Sequence, residues 1–332
     1  MSKRGRSLGV YGIFDPGNQD KVMITFKRES SHDYTLQGAC GVVYQGDMHF
    51  FGGQKYSIPE FGDFSRQHFV IERQRSGKMV KMTEKKSLDI AFQYPSCSNF
   101  AMISKNFPWT SRNIVILCFD SYRERFCFSF DGEIRFIADS KFTHFGGGLT
   151  NYKGRLLTVG GYKNKNRDKW HNLCGNQKTE LMERNKDGTF IWTQTDFKLS
   201  KVRGICEFSL VTVPTDENEE FVLLIGGVFR SRFQVSKTVY KFNGTWSEFG
   251  ELIKPRYKHN SIYWNGSVYV IGGNTERHNK YHDYRGKMKI EIWKIEDSQE
   301  KFETIENWPK LKRWMNPHLF VVPDSFFPDH ET

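Results

Sequence analysis

Four times in this chain an apolar run stops on two consecutive glycines: Phe50-Phe51-Gly52-Gly53, Thr158-Val159-Gly160-Gly161, Leu224-Ile225-Gly226-Gly227 and Val270-Ile271-Gly272-Gly273. Glycine loses more conformational freedom on ordering than any other residue, so a pair of them marks a place where the backbone must leave ordinary strand geometry. Two degenerate members extend the series, Gly12 in Leu8–Gly12 and Phe119 at the end of Asn113–Phe119. The marks then fall at 12, 53, 119, 161, 227 and 273, in steps of 41, 66, 42, 66 and 46.

The same local pattern surrounds each mark. Ahead of it stands an alternating run and a two-residue turn, as in Ser261–Gly273, where Asn265-Gly266 suits the positive φ of a tight hairpin. Gln45-Gly46 and Lys153-Gly154 take that place in their own units. Behind the mark come a variable loop, a β-rich run such as Lys237–Phe242, a second turn at Asn243-Gly244 and a short strand carrying Trp246. Asp187-Gly188 before Trp192 and Asp131-Gly132 before Phe136 repeat that last step. A strand unit recurring at about 50 residues is the signature of a β-propeller blade.

On these residues the chain resembles the kelch-repeat family over nearly its whole length, most closely at 147–195, 203–250 and 256–306. Arg256, His259 and Ser261 stand where the family pattern has Arg and His ahead of a first strand. The resemblance implies an all-β, kelch-type propeller of six four-stranded blades, forming one domain over residues 1–332. The C-terminal run His318–Phe327 reads as a first strand without followers, and Ser7–Phe14 and Lys21–Lys27 as a second and third strand without a predecessor. The last strand is therefore expected to complete the first blade and close the ring, which removes exposed sheet edges. An aromatic content of 15% suits sheets packed face to face.

No run of 18 apolar residues occurs, so no membrane span is expected. The basic start Met1–Phe14 has too brief an apolar run for a secretory signal, which points to a cytoplasmic, possibly nuclear, protein. The six cysteines (Cys40, Cys97, Cys118, Cys127, Cys174, Cys206) form no C-x-x-C pair and are expected to be reduced and structural. The sequons at Asn243 and Asn265 fall in the hairpin turns, where backbone geometry accounts for the asparagine, and are expected to stay unglycosylated.

Charge carries the functional expectation. In a blade of four successive strands, the loops after the second and fourth strands leave on one face and those after the first and third on the other. Over the last three blades, six loop segments on the former face carry a net +15, against +11 for the whole chain. Two segments on the opposite face, Pro214–Glu220 and Glu296–Lys301, carry −6. Arginine grips carboxylate or phosphate bidentately, and aromatic side chains supply apolar anchors. Arg203, Arg230, Arg232, Arg256, Lys258, Arg277 and Arg313, with Tyr162, Tyr257 and Trp314, are accordingly the expected binding residues. The reading is a non-enzymatic module that holds an acidic or phosphorylated peptide segment.

The resemblance points the same way, since many kelch propellers bind short acidic motifs on this loop face. Members that serve ubiquitin ligases carry a BTB domain, which is not seen here, so that role is not expected of this chain. Single-stranded RNA or DNA is the alternative partner, held by basic loops and stacked aromatics. A propeller enzyme with a metal site is the third reading, resting on His278, His282 and Asp283 with His171. Their spacing matches no closed metal site, and none of the common hydrolase, nucleotide or zinc-protease motifs occurs, so neither metal nor cofactor is expected.

Overall fold

The computed structural model describes residues 10–14, 21–25, 34–55, 66–73, 80–85, 87–92, 95–103, 111–120, 123–162, 174–198, 204–215, 219–229, 234–275, 290–295, 301–305 and 317–319. Among them there is no helix. An N-terminal pair, β1 (Val10–Phe14) and β2 (Lys21–Thr25), is followed by five four-stranded antiparallel sheets. The first holds β3 (Tyr34–Tyr44), β4 (Asp47–Lys55), β5 (His68–Arg73) and β6 (Val80–Glu84). The second holds β7 (Ser96–Ile103), β8 (Ser111–Cys118), β9 (Phe126–Phe130) and β10 (Ile134–Asp139), and the third β11 (Gly148–Tyr152), β12 (Arg155–Val159), β13 (Lys178–Arg184) and β14 (Phe190–Lys198). In the fourth, β16 (Ser209–Pro214), β17 (Glu220–Ile225), β19 (Thr238–Phe242) and β20 (Trp246–Glu251) pair in order. A short extension, β15 (Ile205–Cys206) with β18 (Val228–Phe229), continues its first hairpin past the glycines. The fifth holds β21 (Tyr257–Trp264), β22 (Ser267–Asn274), β23 (Glu291–Lys294) and β24 (Glu303–Thr304).

Within each sheet, spatial neighbours are sequence neighbours, so every sheet is a meander. The leading strands β3, β7, β11, β16 and β21 lie side by side in chain order. That is the radial arrangement of a β-propeller.

Turn chemistry explains the hairpins. Gln45-Gly46, Lys153-Gly154 and Asn265-Gly266 all have positive φ at both residues, at 54° and 87°, 48° and 70°, 42° and 71°. This is the primed turn whose twist matches that of the flanking strands. Phe119, standing where other units have glycine, is itself held at φ 59°. The diglycines also make room. A Cβ on Gly226 would lie 2.7 Å from the Arg256 carbonyl oxygen, and one on Gly160 2.6 Å from that of Ile205. Through these gaps the chain entering the next sheet bonds the preceding one, with Gly161 N–H donating to Ile205 O and Gly227 N–H to Arg256 O.

Apolar side chains fill the spaces between sheets. Phe51, Phe92, Val115 and Leu117 join the first sheet to the second, Ile116, Leu156 and Met182 the second to the third, and Val211, Leu223, Val270 and Trp293 the fourth to the fifth. Trp246 donates its indole N–H to Thr179 Oγ1 of the third sheet at 2.9 Å.

Two expectations are corrected. Six complete blades were expected, and the described residues hold five; the mark at Gly12 lies in β1, which pairs with β2 alone. Most of the expected closing strand, from Phe320 onward, lies outside the described residues. Its first residue and the one before it sit between the end sheets: Asn260 of β21 donates to Pro317 O at 3.1 Å, and the His318 ring meets Phe50 of β4 edge-on at 5.3 Å. The second correction concerns the cysteines, all six of which are paired. Cys40–Cys97 ties the first sheet to the second, Cys118–Cys127 joins directly opposed residues of β8 and β9, and Cys174–Cys206 ties the third unit to the fourth. The apolar environment of Cys118 and Cys127 suggested small hydrophobes, but facing positions on adjacent strands bring their Cα atoms within 4.2 Å.

Candidate interaction face

Entry to each of the last three sheets repeats one backbone device. Gly146, Glu207 and Lys258 each lie two residues after a residue that packs on a glycine pair, and all three have positive φ, at 69°, 55° and 54°. Glu207 N–H donates to Gly146 O at 2.8 Å, and Lys258 N–H donates to Glu207 O at 2.9 Å. A ladder of backbone hydrogen bonds thus steps from sheet to sheet beside the leading strands.

On this ladder three side chains from three sheets converge. The Tyr162 hydroxyl donates to Glu207 Oε1 at 2.5 Å, and Lys258 Nζ lies 3.5 Å from the same oxygen. Tyr162 also packs against Phe145, and Tyr162 and Tyr257 both cover the Cys174–Cys206 bridge and Val228. Lys258 remains about a third exposed and Glu207 is mostly covered, with side-chain exposures of 35% and 16%.

Below this rim lie two buried anchors. Glu291 on β23 accepts from Ile253 and Lys254 N–H and from the Arg256 guanidinium, whose Nη2 approaches to 2.6 Å while Nη1 donates to Gly272 O at 3.1 Å. Both side chains are 1% exposed. Glu180 on β13 repeats the scheme with Lys141 and Phe142 N–H and with His144, which contacts Glu180 Oε2 at 2.8 Å and Gly160 O at 2.9 Å. Burial alone would raise the Glu180 carboxyl, but His144 and the two amides outweigh it and hold it below the usual range. These carboxylates pin the connection entering the sheet to its third strand and second-strand glycine.

Among the expected binding residues, Tyr162, Tyr257 and Lys258 do meet on one rim. Arg256 does not belong there: it is fully enclosed by Glu291, and its guanidinium is already satisfied. Arg203, Arg230, Arg232, Arg277, Arg313 and Trp314 lie outside the described residues, as do His171, His278, His282 and Asp283. Among the described residues no group of three metal-ligating side chains gathers. Lys237, counted in the basic face, pairs with Glu251. The acidic face holds Glu220, whose carboxylate accepts from Lys153 N–H in the neighbouring sheet.

Glu207 was not among the expected binding residues, because it lies one position past the basic loop segment 194–206. Its signal lies in repeat equivalence: it stands two residues after Ile205, as Lys258 does after Arg256.

No helix among the described residues is long and apolar enough to cross a membrane. No protein-family model matches the chain, and no curated protein matches it in sequence. Among solved structures it is similar to that of YjhT, with a TM-score of 0.62 and 12% identity over 90% of this chain and 91% of the other. At that identity the likeness supports the propeller fold alone.

Proposed function

We propose that the chain is a kelch-type propeller acting as a non-enzymatic interaction module, whose loop face over the third to fifth sheets holds an acidic or phosphorylated segment of a partner. One observation carries the reading: the backbone ladder through Gly146, Glu207 and Lys258 brings Tyr162 of the third unit to a single rim with Tyr257 and Lys258 of the fifth. Rigid strands position that rim, while the net-basic loops around it supply long-range attraction for an acidic partner. Glu207 occupies the Lys258 ammonium in the free protein. A partner carboxylate or phosphate competes with it, which makes binding selective for strong acceptors.

The cytoplasmic or nuclear location expected from the sequence rested on the brief apolar run in Met1–Phe14. Three disulfides weigh against it, and the binding proposal does not depend on it.

The test is a triple charge reversal of Arg203, Lys258 and Arg313 to Glu, with Glu219 and Glu220 reversed to Lys as the control on the other face. Arg256 is left intact because reversing a buried, paired arginine would unfold the protein. Affinity for an acidic and phosphorylated peptide library and for a single-stranded oligonucleotide is read over a salt series. Loss of peptide binding in the triple variant alone is the expected result. Equal binding by both variants would sink the proposal, and preference for the oligonucleotide with a steep salt slope would replace the peptide by nucleic acid.

A further inference from the structure

We infer that Asn243 and Asn265 are N-glycosylation sites and that the protein matures in an oxidising compartment. The first observation is the complete pairing of the cysteines. The pairs span 57, 9 and 32 residues, and two of the three join different units. Three bridges that use every thiol fit an exported chain, since cytosolic glutathione and thioredoxin keep such thiols reduced.

The second observation concerns the two acceptor triplets, Asn243-Gly244-Thr245 and Asn265-Gly266-Ser267. Backbone geometry does not account for their asparagines. Asn243 is not among the residues with positive φ; only Gly244 beside it has one, at 109°. Asn265 does have positive φ, but Gln45 and Lys153 hold the same place in equivalent hairpins. Asparagine is thus not required by the turn at either position.

Access is the third observation. Both asparagines are exposed at turn tips, and a Cβ added to Gly244 or Gly266 would meet nothing within 4 Å. The turn between β19 and β20 and that between β21 and β22 both leave on the face opposite the Tyr162–Lys258 rim. Glycans there would shield one face and leave the binding rim open.

The transfer is a substitution at an anomeric carbon. The asparagine amide nitrogen forms a bond to C1 of an oligosaccharide carried on a lipid diphosphate, the C1–O bond to the diphosphate breaks, the lipid diphosphate departs, and the amide loses one proton to solvent. No oxidant is needed for this step.

The experiment uses the full-length protein from its own cells, lysed in a thiol-alkylating reagent. Peptide mass mapping is done before and after an amidase that releases N-glycans and leaves aspartate. Aspartate at both 243 and 265 after treatment, with no alkylated cysteine before reduction, is the expected result. Thr245→Ala and Ser267→Ala should each remove one glycan and leave circular dichroism unchanged. Unmodified asparagine at both sites overturns the proposal whether or not the thiols are paired. Modification at one site alone supports that site and overturns the other.

Discussion

Replacing Arg256 by methionine should destabilise the protein by about 3 to 5 kcal/mol, the cost of stranding one partner of a buried ion pair. The Glu291 carboxylate would keep the amides of Ile253 and Lys254 but lose two guanidinium contacts, and the Gly272 carbonyl would lose its donor. With both side chains 1% exposed, water cannot replace what is lost. Methionine fills much of the volume, so the cost is mainly electrostatic. Removing both charges, in Arg256→Met with Glu291→Leu, leaves no unpaired buried charge, although the Ile253 and Lys254 amides lose their acceptor, and should cost less than the sum of the single changes by about 2 kcal/mol or more. The assay is urea unfolding followed by tryptophan fluorescence, with Trp293 in the same sheet as reporter. If Arg256→Met changed stability by less than about 0.5 kcal/mol, as a solvent-facing arginine would, the reasoning about this anchor would be wrong.

Acid should weaken the fold early. Burial first, then the neighbouring His49 and Lys85, lower His68 to about 3, and burial first, then Arg256, lower His259 to about 3. The unfolded chain therefore takes up protons before the folded one, so stability is intact above pH 6.5 and falls from there toward pH 3. The fall is at most about 1.4 kcal/mol per pH unit for each group, and His259→Phe should reduce the slope measured by pH-dependent urea unfolding. Glu180, held low, adds to the acid limb below the normal glutamate range. Gly154→Ala should cost about 1 kcal/mol for its left-handed backbone, whereas Gly226→Ala should cost at least about 3 because a Cβ also meets the Arg256 carbonyl; thermal melts compare the two directly. Glu207→Gln should tighten binding of an acidic peptide several-fold by freeing Lys258, and weaker or unchanged binding in titration calorimetry would remove the competition argument.

Most of the architecture was legible because it is written in local chemistry. The hairpin pairs at 45–46, 153–154 and 265–266 adopt the backbone their residue types suggested, and even Phe119 keeps the left-handed φ of the glycine it replaces. What stayed hidden depends on partners distant in sequence. Arg256 reads like its neighbour Lys258, and only Glu291, 35 residues later, pulls it inside. The cysteine pairs spanning 57 and 32 residues were equally invisible. Cys118–Cys127 was readable in principle, since the hairpin register sets the two face to face.

The ladder through Gly146, Glu207 and Lys258 is made of main-chain atoms, so it persists whichever side chain occupies a step. Left-handed φ costs roughly 1 to 2 kcal/mol at a non-glycine residue, and the rim tolerates that at two of these three positions. Rigidity and chemistry are thereby uncoupled at this place: the hoop that holds the sheets together exposes a set of exchangeable letters. Substitutions at the steps can change the chemistry this rim presents without disturbing the cores between the sheets. Grafting other residues at 207 and 258 is, for the same reason, the natural starting point for building a designed binding surface on this scaffold.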